Sequence, residues 1–190
     1  VHDRVMREIM LPTVRGLAAD RIPYRGFLYA GLMIDGTGQP RVIEFNCRLG
    51  DPETQPILFR LRSDLVDICL RCFDGTLGEE PLEWDPRATV GVVMASRGYP
   101  DSYDKGKPIT GLERVPRKDV KVFHAGTRLE KGRIVTDGGR VLCVVGTGHS
   151  VRAACAAAYS GVHEITWDGA FYRSDIGHRA VQREESGASG

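Results

Sequence analysis

The chain has 190 residues, enough to bury a real core in one domain or two small ones. Its 26 Lys and Arg balance 25 Asp and Glu, and no basic run is long enough to track a phosphate backbone, which argues against general nucleic-acid binding. No apolar stretch reaches membrane length and no secretory leader is visible.

In chain order, His2 to Ala19 has the period of a helix, with Met6, Met10, Val14 and Leu17 on one stripe and Pro12 expected to kink it. Phe27 to Ile34 is apolar on both faces, as in a strand covered on two sides, and pairs as a hairpin with Arg41 to Asn46 across the turn Asp35-Gly36-Thr37-Gly38-Gln39-Pro40. Ile57, Leu61, Leu65, Ile68 and Cys72 repeat at three and four residues, so the spacing predicts one helix from Glu53 to Phe73, stopped by Asp74-Gly75. The polar stretch Thr76 to Pro86 marks a boundary between a first domain, 1–80, and a second, 87–182.

After that boundary the pattern changes to short β-type runs at Thr89–Ala95, Ile109–Leu112, Val120–His124, Arg133–Thr136 and Val141–Val145, which predicts a small antiparallel sheet or barrel. Gly146-x-Gly148 is expected to be a turn; it lacks the third glycine of a dinucleotide fingerprint. Ser150 caps an alanine-rich helix reaching about His163, a short strand includes Ala170-Phe171-Tyr172, and 183–190 is expected to be a disordered tail. Arg140, after Gly138-Gly139, is placed toward a cleft between the domains, while His124 and His149 are lone histidines with structural roles. Five scattered cysteines, Cys47, Cys69, Cys72, Cys143 and Cys155, fit a reducing, cytoplasmic setting. Cys69-x-x-Cys72 lacks a second ligand pair and is expected to pack in a helix.

The densest chemistry lies in Glu44-Phe45-Asn46-Cys47-Arg48-Leu49-Gly50-Asp51-Pro52-Glu53-Thr54-Gln55. Strand side chains repeat every two residues, so Glu44, Asn46 and, where the chain stays extended, Arg48 share one face. A carboxylate and a carboxamide oxygen are hard ligands suited to Mg²⁺, and a guanidinium suits phosphate or carboxylate. The same spacing also fits the solvated face of a hairpin, and Asp51-Pro52-Glu53 also fits a helix cap with a first-turn proline and an acid favoured by the dipole.

This run, with Leu28-Tyr29-Ala30-Gly31-Leu32-Met33-Ile34 before it, resembles the phosphoribosylamine–glycine ligase (glycinamide ribonucleotide synthetase) family. The likeness continues through Ala95-Ser96-Arg97-Gly98-Tyr99-Pro100, Val122-Phe123-His124-Ala125-Gly126-Thr127, Val135 to Leu142 and Tyr172 to Gly177. It implies an α+β architecture: 1–80 as the C-terminal part of an ATP-grasp domain, and 87–182 as a small β-rich, barrel-sandwich-like domain with one packed helix. It implies a ligase that joins glycine to 5-phosphoribosylamine, with ATP as co-substrate and Mg²⁺ or Mn²⁺ as metal, by way of glycyl phosphate in purine biosynthesis.

Carried over by motif, the resemblance makes Glu44 and Asn46 metal ligands, Arg48 a catalytic and substrate-binding contact to a phosphate or acyl-phosphate oxygen, and Asp51 and Glu53 substrate-binding groups for an amine or ribosyl hydroxyls. It further implies that the chain, which starts at Val1 without Met, is a fragment, inactive alone, whose partner is the N-terminal part of the same enzyme. Two other readings stay open: a non-catalytic fragment that folds and associates through its uncovered surface, and another ATP-grasp carboxylate–amine ligase.

Overall fold

The computed structural model describes residues 1–78 and 81–187. The chain divides into two compact units: Val1–Asp51 with Arg62–Glu83, and Pro52–Leu61 with the chain from Trp84 onward.

The first unit opens with α1 (His2–Val5), a π-helical segment Met6–Met10 and α2 (Leu11–Ala19), which abut without a break. Pro12 has no N–H to bond the carbonyl one turn back, and wider π turns lie directly ahead of it. The hairpin follows as β1 (Tyr29–Ile34) and β2 (Pro40–Asn46), antiparallel. Its turn is set by Asp35, whose Oδ1 accepts from the amides of Thr37 at 2.9 Å and Gln39 at 3.0 Å.

The single helix expected over Glu53–Phe73 is two helices, α3 (Thr54–Arg60) and α4 (Leu65–Asp74), which fall in different units. Leu61 turns extended and bridges Trp84, and Asp64 restarts the helix by accepting from the amides of Val66 and Asp67. Gly75, left-handed at φ 72°, ends α4 as expected.

The second unit is built on one antiparallel sheet of four strands in the order β4-β7-β3-β8: β3 (Ala88–Ser96), β4 (Val120–His124), β7 (Arg140–Gly148) and β8 (Ala170–Tyr172). Its outer strands β4 and β8 are not joined among the described residues, so the sheet is open and the expected barrel-sandwich closure is absent there. A separate ribbon pairs β5 (Thr127–Glu130) with β6 (Arg133–Thr136). Ile109–Leu112, expected as a strand, contributes only a bridge from Thr110 to Thr166 before a 3₁₀ turn over Leu112–Arg114.

Helices cover both faces of the central pair, β3 and β7. A Cβ on Gly91 would meet Pro56 of α3 and the Cys143 thiol at 3.3 Å, and Thr89 donates to Pro56 O at 2.9 Å. On the other face runs α5 (Val151–Glu164), so close that a Cβ on Gly146 would lie 2.2 Å from Ala158 N. Gly146 and Gly148 are therefore strand residues that admit a helix and not the turn expected there. Val92, Met94, Val141, Val144, Ala154, Ala158 and Val162 form the sealed centre.

Ser150 caps α5 by accepting from Ala153 N at 3.1 Å. A helix not foreseen, α6 (His178–Glu185), occupies the start of the expected tail and sends Glu184 back to accept from Val151 N at 2.7 Å. Residues 188–190 of that tail lie outside the described residues.

Candidate functional site

Glu44 and Asn46 sit on β2, paired across the hairpin with Gly31 and Tyr29. Between Gly31 and Leu32 the partner jumps from Glu44 to Val42, so Ile43 is an extra residue on β2. Beyond this bulge the alternation is regular, and Glu44 and Asn46 lie on one face as expected.

Gly31 directs the carboxylate. A Cβ at that position would stand 2.9 Å from Glu44 Cγ and 3.5 Å from its Oε1, so the Glu44 stem lies across the bare backbone of the neighbouring strand. Glu44 is exposed and Asn46 half-buried; among the described residues neither side chain has an ion pair or hydrogen-bond partner. A solvent-facing carboxylate with an amide oxygen two residues along gives two hard donors and no competing cation. Among the described residues no cluster of three or more His, Cys, Asp or Glu could close around an ion by itself. Such a short donor set fits Mg²⁺, which keeps waters and completes its shell with substrate phosphates.

Arg48 does not share that face by alternation. Ladder pairing ends at Asn46, Cys47 and Arg48 form a bend, and Arg48 Nη1 donates to Leu49 O at 3.1 Å. The guanidinium is exposed and engages no carboxylate among the described residues. Asp51 lies in the turn that ends the first of the segments making up the first unit. Glu53 belongs to the second unit as N-cap of α3, with its backbone oxygen accepting from Ile57 N at 3.1 Å and no side-chain cap. Of the five, the fold thus brings Glu44 and Asn46 onto one strand face.

Two family descriptions match the chain in order: phosphoribosylglycinamide synthetase, ATP-grasp (A) domain, over residues 1–54, and phosphoribosylglycinamide synthetase, C domain, over 89–179. The chain belongs to the phosphoribosylglycinamide synthetase family. It is 59% identical over 186 residues to the phosphoribosylamine–glycine ligase of Allochromatium vinosum, 98% of this chain and 44% of that protein. The Salmonella typhimurium protein of that name is 56% identical over 187 residues, again 98% of this chain and 44% of the relative. The crystal structure of the Thermotoga maritima phosphoribosylamine–glycine ligase superposes with a TM-score of 0.78 at 38% identity, covering 90% of this chain and 42% of that one. The chain therefore spans less than half the length of the relatives it matches.

Within this synthetase-family chain the roles of two residues were not legible in sequence. Gly31 was visible as a lone glycine in an apolar strand, a signal of close backbone approach, but its partner needed the register. Gln55, inside the motif, buries its Oε1 with no hydrogen-bond partner among the described residues, an acceptor open to a donor. Arg140, placed by sequence toward a cleft, lies with its Cζ 5.7 Å from the centre of the Tyr99 ring, a cation–π contact within the second unit.

Proposed function

We propose that the chain is the C-terminal portion of an ADP-forming carbon–nitrogen ligase that joins glycine to 5-phosphoribosylamine, contributing the end of an ATP-grasp domain and the family's small C-terminal domain. The reading rests on one observation above all: Glu44 and Asn46 project together from a strand that lies in the match to the ATP-grasp domain.

In the proposed reaction the glycine carboxylate oxygen attacks the γ-phosphorus of ATP, ADP departs, and glycyl phosphate forms. The amine nitrogen of phosphoribosylamine then attacks the glycyl carbonyl carbon, inorganic phosphate leaves, and the nitrogen sheds a proton. Glu44 and Asn46 would hold a divalent ion, Mg²⁺ or Mn²⁺, which supplies charge neutralisation for the phosphoryl group in transfer. Arg48 would offer its planar fork to a phosphate or acyl-phosphate oxygen, a geometry a lysine lacks. Asp51 and Glu53 would accept from the amine or from ribosyl hydroxyls. The conversion of carboxylate to acyl phosphate replaces a poor leaving group with a good one, and electrostatic stabilisation of the developing charge carries most of the rate.

The uncovered hairpin favours a further role for the chain as a docking partner of the rest of the same enzyme. Met33 is 61% exposed, Ile43 66% and Phe45 42%, and a lone two-stranded hairpin is marginal in water. The experiment follows phosphate release with ATP, Mg²⁺, glycine and phosphoribosylamine. The isolated chain is expected to give none, because positioning by the remaining lobe supplies roughly 7–11 kcal/mol in such chemistry. Adding the N-terminal portion of a relative should restore glycine-dependent release. Turnover by the chain alone, or none after reconstitution, would contradict the reading.

A further inference from the structure

Where β3 leaves the sheet of the second unit lies an open pocket of about 390 Å³. Arg97 and Gly98 from the strand end, Tyr103, Asp104 and Lys107 from the following loop, and Asp168 from the turn before β8 supply its chemistry.

The walls are fixed by backbone bonds to the sheet and its ribbon. Arg97 N donates to Gly169 O at 2.7 Å, and Lys107 N donates to the Oγ1 of Thr136, a residue with no exposed surface, at 3.1 Å. Gly98 has φ 95°, and a Cβ there would fall 2.1 Å from Ser102 O, so the loop turns back along a path open only to glycine. The charges are unevenly engaged. Lys107 Nζ is bracketed by Asp168 Oδ2 at 3.2 Å and Asp104 Oδ2 at 3.5 Å, whereas Arg97 has no ion pair among the described residues. A free guanidinium, a tethered ammonium, two carboxylate acceptors and one ring share a volume in the usual range for small-ligand sites.

We propose that this cavity binds a small sugar phosphate, with the phosphate on Arg97 and Lys107, sugar hydroxyls donating to Asp104 and Asp168, and a carbon face against Tyr103. A bare phosphate would meet two carboxylates while bringing no hydroxyl to satisfy them. An unphosphorylated sugar would leave the Arg97 fork without an acceptor, and bidentate guanidinium–phosphate contacts are the strong ones. A divalent cation fits poorly, since the Lys107 ammonium already stands between the two carboxylates, 3.2 Å from Asp168 Oδ2 and 3.5 Å from Asp104 Oδ2. The proposal stands on the second unit alone. Two sources share this chemistry: the phosphoribosylamine of the proposed reaction, or another sugar phosphate acting as an effector.

The test is calorimetric titration of the 190-residue chain with ribose 5-phosphate, inorganic phosphate and ribose in parallel. Ribose 5-phosphate is expected to saturate a single site at least about tenfold more tightly than either part, and Arg97→Met and Lys107→Met each to weaken it by about tenfold or more, roughly 1.4 kcal/mol. Arg97→Lys, which keeps the charge and is milder to the fold, should recover part of the loss. A melting curve on each variant checks the fold. No saturation at about 10 mM ligand, where even a 1 mM site is mostly filled, or unchanged binding by folded Arg97→Met, overturns the proposal.

A second arm, which rests on the ligase reading, separates the sources in an enzyme carrying this region. A selective rise in KM for phosphoribosylamine with Arg97→Met, leaving KM for glycine unchanged, assigns the cavity to substrate. Lost ribose 5-phosphate binding with both KM values unchanged assigns it to an effector. An enzyme without ligase turnover would fail the reading and leave the calorimetric result standing.

Discussion

At the scale of single residues, Gly31 is where sequence, register and proposed chemistry meet. Its missing side chain lets Glu44 lie across β1, and the 2.9 Å left for a Cβ is measured to Cγ, near the root of the side chain, so a methyl group must redirect the carboxylate. In an enzyme carrying this region, Gly31→Ala is expected to leave the melting temperature nearly unchanged and to lower kcat at limiting Mg²⁺ by about tenfold, roughly 1.4 kcal/mol. Kinetics equal to the parent's across the Mg²⁺ titration would mean that Glu44 needs no such seat.

A second residue-scale prediction concerns acid. Asp175 takes a fork from Arg173, Nε to Oδ1 at 2.8 Å and Nη2 to Oδ2 at 2.6 Å, and these bonds hold its carboxyl at about 2 against an ordinary 3.8. Because the folded value is the lower one, the contribution is fully present above about 3.8 and is lost as pH falls through about 2. Both side chains are largely exposed, so the effect is small. Melting temperatures of the protein and of Asp175→Asn should differ most above about pH 4 and converge toward pH 2. A gap that stays constant across that range would show that the pair does not couple to folding.

At the scale of elements, the close contact between β7 and α5 passes through Gly146. Gly146→Val sets a side chain against backbone atoms of Ala158 and Ala154 at 2.2 and 2.4 Å, which cannot rotate away. The expected cost lies at or beyond the upper end of the usual 1–3 kcal/mol, about 3 kcal/mol, for overpacking, read as a lower denaturation midpoint in urea. An unchanged midpoint would mean that α5 is free to lift from the sheet.

Much of this scale was legible in sequence, and the failures have physical causes. The short β-type runs of β3, β4 and β7 and the Ser150 cap were readable because local pattern and tertiary role agree. The break between α3 and α4 was hidden because Leu61 keeps the apolar register while its backbone turns extended. Gly146 and Gly148 resembled a turn because glycine marks turns and close approaches alike. Helix α6 reads His-Arg-Ala-Val-Gln-Arg-Glu-Glu, with two apolar residues, and depends on contacts such as Glu184 with the start of α5. In the site, Glu44 and Asn46 followed from alternation. The place of Arg48 did not, since the end of a strand is set by its pairing partner.

At the scale of the whole molecule, the two units carry different parts of the account. The first presents two hard oxygen donors on an uncovered hairpin; the second has a sealed three-layer core and a mixed-charge cavity of its own. The family relation, through relatives more than twice as long, makes the first unit the proposed seat of metal-assisted phosphoryl transfer. Glu44→Gln tests that most directly, in an enzyme carrying this region, because it removes one charge while preserving shape. Rate is measured against Mg²⁺ concentration beside a melting curve. The account predicts an unchanged melting temperature, a kcat lower by roughly 10²–10³, about 3–4 kcal/mol by analogy with a deleted oxyanion donor, and partial rescue by excess metal. Normal turnover at limiting Mg²⁺ would contradict it, and Glu44 would then be a solvated residue on the face of a hairpin.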